Sequence, residues 1–242
     1  MIKLGIIVFI TVTLGAIIQT GLGLGLTVVA MMIFPMFFSI NTSVAMITSI
    51  GSASAIYLFI RYFKKIQWRI LLPCALSGWL VTALFIVISV SANQGLLKII
   101  LGCVLIALAI YFAFFSDKIR IKASVASGLF CGGFSGISGG LFGLAGPPLG
   151  LYLSAAIPDN ESYVATIQTY FLFVNFITIF LRGSYGAFSP DILKLIVIGW
   201  AAAIIGTLIG IRFFRLLPAS LVRKLVYLVI ALSGLWTVIQ AL

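Results

Sequence analysis

The chain has 242 residues, 63% of them hydrophobic and 8% charged, with a mean hydropathy of +1.31. Soluble domains run at about 45–50% apolar and about 25% charged, and disordered chains lack apolar residues, so neither class fits. Fifteen Lys and Arg against four Asp and Glu give +11, but these charges sit in short loops between apolar runs, which marks membrane topology rather than nucleic-acid binding.

A spanning helix needs about 20 apolar residues, and the hydropathy divides the chain into eight segments with little left over. Met1-Ile2-Lys3 ahead of an apolar run imitates a secretory signal, but the run is too long and no cleavage site precedes a polar chain. Segment 1 therefore covers Leu4 to about Phe38. Segment 2, about Asn41 to Ile60, is closed by Arg61, Lys64, Lys65 and Arg69. Segment 3 is about Ile70 to Ser91. Segment 4, about Leu96 to Phe115, is followed by Asp117, Lys118, Arg120 and Lys122. Segment 5 covers about Ala123 to Ile157 and is followed by Pro158, Asp159 and Glu161. Segments 6, 7 and 8 cover about Ser162–Leu181, Ile192–Ile211 and Ala219–Leu242.

Segments 1 and 5 each run to about 35 residues, too long for one crossing and too short for two. Both are interrupted by glycine and closed by proline. The first holds Gly21, Gly23 and Gly25 and then Pro35; the second holds Gly143 and Gly146 and then Pro147-Pro148. Glycine weakens a helix and proline removes a donor, so each segment is expected to break. Broken helices at matching places in two halves indicate a repeat-built transporter. An offset of 121 pairs Gly25 with Gly146, Thr48 with Thr169, Arg61 with Arg182 and Gly78-Trp79 with Gly199-Trp200. The expected fold is thus an all-α polytopic membrane protein of two four-segment repeats, residues 1–121 and 122–242. If the broken segments are re-entrant, basic residues divide 11:4 between the two sides; if all segments cross, they divide 10:5. The first division obeys the positive-inside rule better and makes an inverted repeat the preferred reading over a parallel one.

The chain has no histidine, which excludes His-based catalysis, His-ligated haem and His-containing zinc sites. Cys74, Cys103 and Cys131 are scattered through apolar runs, without metal or disulfide spacing. Gly133-Phe134-Ser135-Gly136 and Gly136-Ile137-Ser138-Gly139 mimic intramembrane serine-protease motifs, but no histidine base exists. No enzyme and no cofactor are expected. All four acids, Asp117, Asp159, Glu161 and Asp191, sit at segment ends, so none serves as a mid-membrane proton relay.

What remains is a site for an anion. A half-helix starting inside the membrane offers unpaired N–H groups and the positive end of a dipole. The candidate binding residues are Gln19, Thr20, Gly21, Gly23, Gly25 and Thr48 from the first half. Gly143, Gly146, Pro147, Pro148, Gln168, Thr169 and Arg182 come from the second. Competing structural readings are specific. Glycines four apart (Gly128, Gly132, Gly136, Gly140) permit close helix packing, Ser and Thr bond to their own helix, and Arg61 and Arg182 anchor helix ends.

Gln19-Thr20-Gly21-Leu22-Gly23-Leu24-Gly25 and Gly140-Leu141-Phe142-Gly143-Leu144-Ala145-Gly146-Pro147-Pro148-Leu149-Gly150-Leu151-Tyr152-Leu153 resemble the glycine-rich elements of the TauE/SafE sulfite exporter (TSUP permease) family. The four-plus-four layout resembles that family over the whole chain. The resemblance implies transport of sulfite, sulfonate, thiosulfate or a related organic oxyanion across a bacterial inner (plasma) membrane. The expected function is secondary transport of a small anion held between the two breaks, with rocking of one half against the other. A passive anion channel and a non-transport membrane scaffold are the alternatives. The expected partners are the anion and the lipid bilayer, without nucleic acid; a homo-oligomer stays open.

Overall fold

The structure is a computed structural model that describes residues 2–22, 25–114 and 124–213. Every regular element among the described residues is helical: α1 (Ile2–Leu22), α2 (Leu26–Ile33), α3 (Ile40–Arg61), α4 (Trp68–Ser91), α5 (Gln94–Phe114), α6 (Val125–Phe142), α7 (Gly146–Ala156), α8 (Asn160–Ser184) and α9 (Pro190–Phe213). Single turns of 3-10 helix at Phe34–Met36 and Phe63–Lys65 join α2 to α3 and α3 to α4. Six of these helices are long and apolar enough to cross a bilayer: α1, α3, α4, α6, α8 and α9. The segment expected at about Ala219–Leu242 and the loop carrying Asp117 to Lys122 lie outside the described residues.

The two long apolar segments do break, and unequally. Segment 1 becomes a 21-residue α1 followed by an 8-residue α2. Segment 5 becomes an 18-residue α6 followed by an 11-residue α7. At 1.5 Å per residue the first piece is in each case of crossing length and the second is not. The break therefore falls a little past the middle of each segment.

The spanning helices are dressed as lipid solvent demands. On α4 the exposed positions Leu72, Leu76, Leu80 and Leu84 recur every four residues, while the buried face is Cys74, Ala75, Gly78, Thr82, Ile86 and Ser89. Lipid tails reward Leu as well as a protein core does, so small and weakly polar residues fall to the helix contacts.

The described chain forms two compact units, and each draws helices from both sequence halves. One unit comprises residues 1–51, 92–118 and 187–242, and the other residues 52–91 and 119–186; the division falls inside α3. In the first unit α9 packs along α1. Gly206 gives Thr13 and Ala16 room, and the Trp200 indole N–H donates to Ser49 O at 2.9 Å. In the second unit α4 packs along α6. A Cβ on Gly136 would stand 2.7 Å from Gly78 O, and one on Gly140 would stand 2.7 Å from both Thr82 O and Phe85 Cβ. Gly132 meets the backbone of Cys74 still more closely. Gly132, Gly136 and Gly140 thus form a seam against the backbone of α4, while Gly128 faces the side chains of Tyr152 and Cys74. Shifted by 121 residues, α1 to α4 fall on α6 to α9 with boundaries agreeing within two residues.

Polar caps hold the helix ends. Asn93 Oδ1 accepts from Gly95 N at 2.8 Å and starts α5. Gln94 Oε1 accepts from Ile40 N at 3.1 Å and starts α3. Asp159 accepts from Ser162 N (3.0 Å) and Ser162 Oγ (2.7 Å) at the start of α8. Those bonds to Ser162 hold the Asp159 carboxyl below the usual carboxylate range. A depressed carboxyl stabilises the fold above its unfolded value, about 3.9, and loses that contribution as pH falls through the lower folded value. Asp159→Asn is therefore expected to melt below wild type at pH 6, with the gap narrowing as pH falls below about 3.9. A gap in melting temperature that does not narrow on acidification would contradict this.

Candidate functional site

The second break is built by α6, α7 and α8. The chain leaves α6 through Gly143, whose φ of 71° is the left-handed conformation that glycine adopts without strain. Gly143 N–H returns to Gly139 O at 2.8 Å and Leu144 N–H to Ser138 O at 3.2 Å, so two of the helix's terminal carbonyls are satisfied. The next carbonyls are drawn back onto α6 by serines. Ser138 Oγ donates to Leu144 O at 2.9 Å, and Ser135 Oγ donates to Ala145 O. Both serines belong to the protease-like motifs, and both serve as hangers for the break.

Helix α7 then begins with Gly146-Pro147-Pro148 behind Ala145. Proline suits a first turn but brings no N–H, so two of the four donors at this end are missing. The amides of Ala145 and Gly146 remain, and neither donates to a protein acceptor among the described residues. Gly146 and Pro147 are buried; Pro148 is half-buried.

The first break has the same plan with a different detail. Gly25 lies against the last turn of α1, where a Cβ would stand 2.5 Å from Gln19 N. Gln19 Oε1 accepts from Leu26 N at 3.2 Å. Leu26 matches Pro147 at the spacing of 121, so the same donor is occupied at one break and deleted at the other. Thr20 and Gly21 close α1, and Gly23 lies outside the described residues.

The side chains bet on from the sequence divide sharply. Thr48 Oγ1 donates to Val44 O (2.7 Å) and Thr169 Oγ1 to Ala165 O (2.7 Å), each within its own helix. Gln168 is only 4% exposed. Arg182 is fully buried at the end of α8. Its guanidinium donates to Gly140 O at 2.6 Å, Leu141 O at 3.4 Å and Ser89 Oγ at 3.2 Å. Gly140 and Leu141 are the carbonyls that the Gly143 turn leaves open, so Arg182 caps α6 and sits at the negative end of its dipole. Arg61, its match at 121, is exposed instead and rests on Tyr57 and Tyr62, donating to Tyr57 Oη at 2.8 Å.

Sequence reasoning missed Ser135 and Ser138 as parts of the break. Tyr170 is buried, and its hydroxyl lies 3.0 Å from Ser135 Oγ and 3.3 Å from Gly132 O. Its ring end fills the space that Gly78 leaves on α4. The signal available was the coincidence of Gly78 and Gly199 at the repeat spacing, since Gly199 likewise makes room, for Ile50.

The acids of the described residues stay at helix starts. Asp159 caps α8, Glu161 pairs with Lys65 at 3.4 Å, and Asp191 pairs with Lys194 at 3.1 Å. Among the described residues no group of three His, Cys, Asp or Glu could hold a metal. No curated protein and no solved structure matches the chain. The family model for the sulfite exporter TauE/SafE matches residues 4–237, nearly its whole length. With its crossing-length helices, the chain belongs to the TauE/SafE family of membrane transporters.

Proposed function

We propose that the protein is a secondary transporter for a small oxyanion of the sulfite, sulfonate or thiosulfate class in a bacterial plasma membrane. The observation that carries the reading is the second break, where Ala145 and Gly146 keep their amide protons unspent at the positive end of α7. Family membership and the lack of a mid-helix acid among the described residues support it. An anion held by backbone amides needs no counter-charged side chain, and a site without carboxylates does not repel it. Gln19, Thr20, Gly21, Gly23, Gly25, Thr48, Gln168 and Thr169 belong to the same proposal as the remaining lining. Arg182 enters it through α6, by fixing the helix from which the break hangs.

The two halves, 1–121 and 122–242, are proposed to be repeats of inverted topology. The recurrence of helix boundaries at 121 supports the repeat, and the charge distribution supports the inversion. Alternating access then follows from movement within a pseudo-symmetric pair. Purified protein in liposomes is expected to carry sulfite or thiosulfate in a saturable manner, with no single-channel currents. Absence of flux and of any ligand-dependent thermal shift across sulfite, thiosulfate, sulfonates and small carboxylates would overturn the reading.

A further inference from the structure

The direction in which Ala145 and Gly146 point their amide protons decides what the second break can bind. A trans peptide sets each C=O antiparallel to the following N–H, and no cis bond interrupts the described chain. Ser138 Oγ holds Leu144 O against α6, which turns the Ala145 N–H away from that helix. Ser135 Oγ holds Ala145 O in the same way, which turns the Gly146 N–H away too. Ser135 has its own support. Its Oγ donates to the break and accepts from the Tyr170 hydroxyl at 3.0 Å. Tyr170 is kept in register by Gly78, because any side chain there would displace its ring end. The chain Gly78, Tyr170, Ser135, Ala145 thus runs from α4 through α8 and α6 to the break.

We propose that Tyr170, Ser135 and Ser138 are positioning residues that aim the Ala145 and Gly146 amide protons at the transported oxyanion and so set its affinity. The proposal rests on the anion reading given above and names what tunes that site. It is particular to the second break: the residues matching Ser135 and Ser138 at the spacing of 121 are Leu14 and Ile17, which have no hydroxyl. None of the three side chains needs to touch the anion. Ser135 and Ser138 act through backbone carbonyls and Tyr170 acts through the Ser135 hydroxyl, so removal of one leaves the donors present but free to turn.

The experiment uses the full chain in liposomes with sulfite as probe. Ser135→Ala and Tyr170→Phe are expected to raise KM about ten-fold, equivalent to about 1.4 kcal/mol, with the maximal rate held within about two-fold. Ser135→Thr, which keeps the hydroxyl, restores KM; Ser154→Ala, on the exposed face of α7, leaves it unchanged. Amide hydrogen exchange is read in parallel on Gly143 and Leu144, and it speeds in Ser135→Ala and Ser138→Ala once their hangers are gone. Unchanged KM in both Ser135→Ala and Tyr170→Phe, or a fall in maximal rate alone, overturns the proposal. If Ser135→Ala does not fold, Tyr170→Phe, which removes one oxygen atom, carries the test. Should wild type move no anion at all, the anion reading falls separately. Exchange then decides whether the serines hold the break, and unchanged exchange overturns that as well.

Discussion

Valine in place of Gly140 is expected to break the seam between α4 and α6. The first side-chain atom would already stand 2.7 Å from Thr82 O and Phe85 Cβ and 3.2 Å from Ile86 N. Two of those three neighbours are backbone, so the helices themselves must separate. Overpacking of this kind costs about 3 kcal/mol, which for a chain of this size lowers the melting temperature by about 6–12 °C. Gly133 supplies the contrast on the same helix. A Cβ there meets only Val81 Cγ2, at 3.9 Å, and alanine is the better helix former by about 1 kcal/mol. Gly133→Ala is therefore expected to raise the melting temperature, while Gly140→Val lowers it. Equal effects from the two would show that helix propensity, and not close approach, governs this glycine run.

Arg182→Met is the second large effect. It removes a buried cation whose bonds satisfy the last open carbonyls of α6. Hydrogen bonds to a charged group contribute about 1.5–3 kcal/mol each, and an abandoned buried carbonyl costs about 1–3 kcal/mol. The expected loss is about 3 kcal/mol or more, with folded yield falling before transport can be read. Arg182→Lys keeps the charge but not the fork, and recovers part of the loss. Arg61→Met, at the matching position, removes an exposed group stacked on tyrosines and should leave the melting temperature unchanged. Denaturation monitored in detergent checks all three. A neutral Arg182→Met would mean that α6 ends stably without its cap.

Arg182 also shows what was and was not legible in the sequence. Element positions were legible because they follow from local chemistry. Crossing-length runs, glycine at 143, two prolines after 146 and acids at helix starts each act on their own few residues. The glycine ladder was legible as a packing seam for the same reason, since a four-residue period needs no partner to be recognised. The partners themselves were not. Arg182 reads as an interfacial anchor from its place at the end of a segment, and only the approach of α6 turns it into a cap. Thr48 and Thr169 are a legible case by contrast, since their hydroxyls bond within their own helices, as residue type alone suggests. Ser135 and Ser138 read as a discarded protease motif until the chain doubles back from Gly143. Glutamine 19 sits between these cases: its nearness to the break was visible, and its service to Leu26 was not.

The pairing of α1 with α9 and of α4 with α6 has a consequence for biogenesis. When the ribosome has released the first 121 residues, α1 has no α9 and α4 has no α6. Each must wait in the bilayer with its small-residue face against lipid until the second half is inserted. The closing contact, between Thr13 on α1 and Ala202 on α9, joins positions 189 residues apart. Such distant partners delay completion of the fold. Insertion and assembly are therefore separate stages for this chain, and a truncated product, however well inserted, holds neither unit intact.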